Sequence, residues 1–325
     1  MATIKDVARE AGLTVGTVSR VLNNRGYISE ETRKKVYAVM KELNYQPNEV
    51  ARSLSKQRTN TIGVIVPHIV HPYFAKLVSN IERAAADRGY KILLCNYREE
   101  NSREREYLEM CKSNRVAGVI ICSGTMETGE MRNLGIPVVT VERNIGCGTA
   151  SVECDNYQGG RLAAEHLVSL GCRHLLDFGG IEKEDMPADD RERAFAETCR
   201  EHGVDCVVAK GRSDQYYAME YHDYIEQALL AHPETDGVFA SSDVIAAQVI
   251  QICAKLGISI PEKLKLVGFD DVNIASLTTP RITTIRQPIK EMADTSIDLI
   301  VKSSQGELVP SRTVLPVRLV KRETA

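Results

Sequence analysis

From residue 61 onward the chain repeats one pattern, a short and wholly apolar run alternating with a longer segment of helical spacing. IGVIV at 62–66, ILLC at 92–95, VIIC at 119–122 and VVTV at 138–141 lack the polar alternation of a half-exposed strand. Runs of this kind suit parallel strands covered on both faces. Val78, Ile81 and Ala85 mark the first intervening helix, and a charged helix at 102–114 follows the second run. The pattern then recurs. Helix 156–170 precedes strand 175–178, helix 189–202 precedes 204–208, and helix 214–231 precedes 237–240. Helix 243–256 precedes 264–269, and helix 288–303 precedes a terminal strand near 314–320. Such alternation predicts a doubly wound α/β core. Its two similar halves predict two lobes, with a cleft for a small ligand between their strand ends.

The first 60 residues differ in kind. TIKDVAREAGLTVGTVSRVLNN at 3–24 reads as two short helices joined by a tight turn. Thr3 and Asp6 have the spacing of a capping box, and Gly12 supplies the break between helices. Thr14 caps a second helix that buries Val18, Val21 and Leu22. Its other face presents Val15, Gly16, Thr17, Ser19, Arg20 and Asn23, small or hydrogen-bonding groups suited to a DNA major groove. Ser29, Glu30 and Glu31 start a third helix lined by Val36, Val39, Met40 and Leu43, which Tyr45 and Pro47 end. This all-α helix-turn-helix headpiece is expected over 1–46.

Residues 47–60 follow as a linker. The segment is either flexible or a two-turn hinge helix capped by Asn48 that folds on DNA. In the second case Arg52 and Lys56 meet phosphates and Leu54 wedges into the minor groove. Charge points the same way. Residues 1–60 hold 11 Lys and Arg against 6 Asp and Glu, and the rest hold 30 against 38. A basic head on an acidic body suits a polyanionic partner.

The nine cysteines are scattered with no Cys-x-x-Cys pair, as for free thiols in a reducing, cytoplasmic setting. Neither a signal peptide nor an apolar run near ~18 residues is present, so no membrane partner is expected. The lack of a signal peptide and the extra head also weigh against a transport solute-binding protein. Enzyme signatures are missing. Gly146-Cys-Gly148 resembles a dinucleotide loop, but Ser151 stands where its third glycine belongs. The seven histidines have no metal-ligand spacing. Neither catalysis, cofactor nor metal is expected.

The chain as a whole resembles the LacI/GalR family of bacterial transcription regulators. The resemblance is carried by IKDVAREAGLTVGTVSRVLN in the headpiece and YQPNEVARSLSKQRTNTIGVIVP across the linker. HPYF at 71–74, DNYQGG at 155–160, SSD at 241–243, GFDD at 268–271 and TTIRQP at 283–288 follow in order. It implies a periplasmic-binding-protein type I core over 61–325. Lobe one would comprise 61–158 and 288–317, and lobe two 159–287 and 318–325. It also implies a homodimer reading a pseudo-palindromic double-stranded operator. Val15, Gly16 and Arg20 match the family's base-reading positions; Thr17, Ser19 and Asn23 match its phosphate contacts, and Leu54 its intercalating leucine. Gly16 offers no side chain, and Arg20 suits either guanine or phosphate. In the cleft the resemblance implies an effector held by His71, Tyr73, Phe74, Arg191, Asp243, Asp270 and Gln287. His71 stands where sugar-binding relatives often have asparagine. The expected effector is a small sugar of the kind sensed by sucrose-type regulators. A phosphorylated sugar, a purine or a phosphoprotein partner is the alternative. No C-terminal leucine heptads follow, which implies a dimer rather than a tetramer.

Overall fold

The computed structural model describes residues 2–23, 26–46, 59–97, 101–122, 135–143, 148–181 and 186–325. Asn48, Arg52, Leu54 and Lys56, together with most of the expected hinge, lie outside the described residues. The chain divides into two units, Met1–Thr59 and Asn60–Ala325.

In the first unit, α1 (Ile4–Glu10), α2 (Val15–Leu22) and α3 (Glu30–Glu42) enclose a small core. Val7, Ala8, Ala11, Val18, Val21, Val36 and Val39 fill it. Thr3 and Asp6 form the capping box, with Thr3 N donating to Asp6 Oδ2 at 2.9 Å. Gly12 at φ +61° lets the chain turn after α1, and Leu13 N donates back to Ala8 O at 2.9 Å. Thr14 Oγ1 accepts from Thr17 N, and Ser29 Oγ from Thr32 N. The stop of α3 comes earlier than Tyr45 and Pro47 suggested. Asn44 turns left-handed at φ +45°, and Tyr45 N closes the last turn on Met40 O at 2.8 Å. Asparagine tolerates that conformation, so the helix needs no proline to end it.

The second unit contains two six-stranded sheets. Strands β1 (Thr61–Val66), β2 (Lys91–Asn96), β3 (Gly118–Cys122), β4 (Val138–Val141), β5 (Ala150–Cys154) and β11 (Arg312–Leu315) make the first. Its order is β2-β1-β3-β4-β5-β11, and every pairing is parallel. The second consists of β6 (His174–Ile181), β7 (Asp205–Gly211), β8 (Gly237–Ala240), β9 (Lys265–Asp270), β10 (Thr283–Arg286) and β12 (Arg318–Val320). Its order, β7-β6-β8-β9-β10-β12, repeats the first, except that β12 runs antiparallel to β10. Helices α4 (Pro72–Asp87), α5 (Asn101–Ser113) and α12 (Ile289–Ser304) accompany the first sheet. Helices α6 (Asn156–Ser169), α7 (Asp189–Glu201), α8 (Ser213–Ala218), α9 (His222–Ala231), α10 (Asp243–Leu256) and α11 (Ile274–Leu277) lie along the second. The chain passes between sheets three times, between β5 and α6, between β10 and α12, and between β11 and β12.

Three local readings change. The expected helix 214–231 is two helices, α8 and α9, because Met219 adopts φ +54°. The Gln248 side chain holds the break, donating to Met219 O at 2.8 Å and accepting from Tyr221 N at 2.7 Å. The single terminal strand is β11 and β12, one in each sheet, separated by Pro316, which has no N–H for a continuous ladder. Gly148 leads into β5, a strand whose polar Glu153 obscured it in the sequence and which is paired with Arg312 at 2.9 Å. Among the described residues no helix is long and apolar enough to cross a membrane.

Candidate functional site

Two surfaces carry the candidate residues. On the headpiece, Thr14, Val15, Gly16 and Arg20 are exposed along α2, whereas Thr17, Ser19 and Asn23 are half-buried. The Asn23 amide donates to Ser19 O at 2.8 Å, so part of its capacity goes to its own helix. Thr14 and Thr17 share a hydroxyl bond at 2.9 Å. Val15, Gly16 and Arg20 therefore form the outermost strip.

The second surface is a cleft between the strand ends of the two sheets. It encloses about 170 Å³. That is below the roughly 300–1,000 Å³ of sites for drug-sized ligands. His71, Tyr73 and Phe74 line it from the start of α4, Tyr97 and Glu142 from just beyond β2 and β4. Opposite them stand Arg191 on α7, Tyr216 and Tyr217 on α8, Ser241 after β8, Asp270 at the end of β9 and Gln287 after β10.

Arg191 organises this wall. Only 8% exposed, it lays its guanidinium 3.6 Å above the centre of the Phe269 ring. Its Nε donates to Asn156 Oδ1 at 2.6 Å and its Nη1 to Ser241 O at 3.1 Å. Its Nη2 lies 3.8 Å from Glu142 Oε2. Glu142 accepts from Cys154 N at 2.6 Å and from Asn156 Nδ2 at 2.9 Å. Burial nevertheless raises its carboxyl above the ordinary value, against the pull of Arg191. Asp270 accepts from Gln287 Nε2 at 2.7 Å. Burial pushes its pKa up to about 7, opposed by Arg191 and the Gln287 bond. Glu142 and Asp270 both hold left-handed backbone, φ +52° and +107°, a cost that surrounding contacts must offset.

His71 caps α4 through Nδ1, which accepts from Tyr73 N at 3.3 Å. The neutral ring then carries its proton on Nε2. Burial, with His68 nearby, lowers its pKa to about 4. His71 stacks 6.1 Å from Tyr216, and His68 stacks 6.3 Å from Tyr217. Two side-chain contacts to main-chain carbonyls also join the lobes. His68 Nε2 lies 2.6 Å from Tyr217 O, and Lys76 Nζ donates to Asp271 O at 2.8 Å. Tyr73 Oη, Tyr97 Oη and Gln287 Oε1 are buried without a hydrogen-bond partner among the described residues.

Six of the seven expected cleft residues thus meet on one cavity. Asp243 departs from the expectation. It lies at the start of α10, fully buried, and does not line the cavity. Its carboxylate accepts from Thr284 Oγ1 at 2.6 Å and Val272 N at 2.8 Å, joining α10 to β10 and to the turn after β9. The helix cap is Ser242, whose Oγ accepts from Ile245 N. Tyr97, Glu142, Asn156, Tyr216, Tyr217 and Ser241 were missed in the sequence. The rule that ligands bind outside the carboxyl ends of parallel strands would have found Tyr97, Glu142 and Ser241. Nothing local in the sequence marks Tyr216 or Tyr217. Among the described residues no group of three or more His, Cys, Asp or Glu is placed to hold a metal ion.

Comparison with known proteins matches both the headpiece and the core. The family model described as "Bacterial regulatory proteins, lacI family" matches residues 3–48, and that of the "Periplasmic binding protein-like domain" matches 164–325. The ribose operon repressor of Halalkalibacterium halodurans is 38% identical, over 100% of this chain and 97% of its own length. The lac repressor dimer bound to operator and the anti-inducer ONPF superposes with TM-score 0.86 at 26% identity, covering 99% of this chain and 98% of its own. A periplasmic binding protein/LacI transcriptional regulator from Alkaliphilus metalliredigens, complexed with D-xylulofuranose, has TM-score 0.73 at 34% identity over 82% of this chain and 99% of its own. With the three-helix headpiece, the paired sheets and this full-length similarity together, the chain belongs to the LacI family of bacterial regulatory proteins.

Proposed function

We propose that this protein is a sequence-specific repressor of a carbohydrate-utilisation operon that binds operator DNA as a cytoplasmic homodimer and leaves it when a small sugar fills the cleft. The observation that carries the sugar is the cavity itself. It is small, rimmed by tyrosines, and walled by the hydrogen-bonding side chains of Arg191, Asp270 and Gln287. The ribose repressor similarity and the D-xylulofuranose complex of a relative support a ligand of pentose size. His71, Tyr73, Phe74, Arg191, Asp270 and Gln287 form the binding wall in this reading, and Val15, Gly16 and Arg20 face the major groove.

The chemistry is binding, not catalysis. A sugar can move the protein off DNA only through different affinity for the two lobe arrangements, typically 1–3 kcal/mol of coupling. The lobe-spanning bonds from His68 and Lys76 are where such arrangements would differ. Fluorescence anisotropy on a labelled pseudo-palindromic operator, titrated with pentoses and hexoses, tests the reading. Thermal shift should report the same sugar, since ligand at 100 times Kd adds about 2.7 kcal/mol. A pentose that stabilises the protein and lowers operator affinity is the expected result. Stabilisation by a purine, with none by sugars, would overturn it.

A further inference from the structure

We infer that the cleft selects an uncharged monosaccharide and rejects its phosphate esters. The inference rests on the sugar reading above and narrows it to one charge class.

The argument begins with the cations on the wall. Two arginines line the cavity, Arg191 and Arg212. Arg191 already donates to Asn156 and Ser241 O, faces Glu142 and stacks on Phe269. Arg212 forks onto Asp214, with Nε at 2.9 Å and Nη2 at 2.6 Å from its two carboxylate oxygens. Each positive charge already faces a carboxylate, while Asp189 adds further acid to the same wall. A phosphate entering here would lose its hydration opposite carboxylates, and to reach Arg212 it would have to displace Asp214.

The helix ends give the same answer. A helix N-terminus is the usual backbone site for phosphate. Here α7 opens with Asp189, Asp190 and Glu192 in its first turn, and Asp189 Oδ2 accepts from Met186 N. The start of α10 is closed by Ser242 and backed by Asp243, and that of α4 is closed by His71. None presents an open cluster of N–H groups.

What the wall offers instead is neutral. Tyr216, Tyr217 and Ser241 on the wall carry hydroxyls, which can each donate and accept. Sugar hydroxyls, which also donate and accept, match this set. The 170 Å³ of space favours one ring over two.

Isothermal titration of the full-length protein in phosphate-free buffer tests the inference. The probes are D-ribose, D-xylulose and D-fructose against D-ribose 5-phosphate, D-xylulose 5-phosphate and D-fructose 6-phosphate. One neutral sugar is expected to bind at least about 100-fold tighter than its ester. Asp214→Asn, outside the cavity wall, releases Arg212 and should narrow that gap several-fold without changing neutral-sugar affinity. An ester that binds as tightly as its parent, or a gap that Asp214→Asn leaves untouched, overturns the charge argument while the sugar reading stands. No heat with any of the six, in protein that still binds operator, overturns the sugar reading and this inference with it.

Discussion

Each lobe of the core buries an arginine, and the two do opposite things. Arg143, 2% exposed, pairs with Glu104 inside lobe one. Arg191, 8% exposed, starts in lobe two and reaches Glu142, Asn156 and Ser241 around the cleft. A buried ion pair gives little net stability, but removing one partner strands the other charge. The first arginine thus fixes the inside of a lobe, while the second makes the ligand wall depend on both lobes. Similar sheets, with the same strand order, have been given different tasks at their carboxyl ends.

Arg191→Ala should break this contrast most. We expect a loss of roughly 3–5 kcal/mol in urea unfolding, because Glu142 is left buried without its cation, together with loss of sugar response. Arg143→Ala should cost a similar amount yet leave sugar affinity within a few-fold. If both variants lose sugar binding equally, the division of labour is wrong.

The pH dependence sharpens the contrast next. Asp270 titrates at about 7 in the fold against 3.8 for an ordinary aspartate. Its contribution is therefore fully present below pH 3.8 and is lost as pH rises toward 7. His71 titrates at about 4 against 6.5, so its contribution is present above pH 6.5 and is lost as pH falls toward 4. The two slopes oppose each other over most of that range. Relative to the unsubstituted protein, Asp270→Asn should make the slope of stability against pH more positive between about 4 and 7, and His71→Asn should make it more negative. Chemical denaturation at several pH values separates them; parallel profiles would refute the assignment.

Glycine substitutions form a third, smaller test. A Cβ on Gly160 of α6 would lie 2.0 Å from Arg191 O, a main-chain atom. A Cβ on Gly63 of β1 would meet the tip of the Cys111 side chain at 2.6 Å. Overpacking costs about 1–3 kcal/mol. Gly160→Ala should cost more than Gly63→Ala and should also weaken sugar binding, because it displaces the backbone that carries Arg191. Thermal unfolding with and without sugar measures both.

The smallest stability effect belongs to Tyr97→Phe. Its hydroxyl has no partner among the described residues, so its loss should change stability by less than about 1 kcal/mol. Sugar affinity should nevertheless fall about tenfold, one hydrogen bond's worth. Unchanged affinity would remove Tyr97 from the site.

The sequence made some of these elements plain and hid others. β1, β3 and α2 were legible because burial on both faces, or a cap followed by a spaced apolar face, leaves a local pattern. β5 and β10 were not, since Glu153, Thr283 and Thr284 are polar and find partners in Arg312, Ala325 and Asp243, 41 to 159 residues away. The break at Met219 depends on Gln248, 29 residues further on. Asp243 was placed at the correct helix start, but its surroundings, which decide whether it meets ligand or Thr284, come from β10. Arg191 was legible through resemblance alone; its place over Phe269 is a property of the assembled lobe.

The lobe-joining bonds from His68 and Lys76 both end on carbonyl oxygens. A carbonyl is present whatever side chain its residue carries. At position 217 the tyrosine ring could therefore be exchanged for another shape while the acceptor for His68 stayed in place. Part of the lobe coupling is thereby written in backbone, apart from the side chains that line the cleft. A cleft of this construction can exchange the ring at 217 and keep that tie between its lobes.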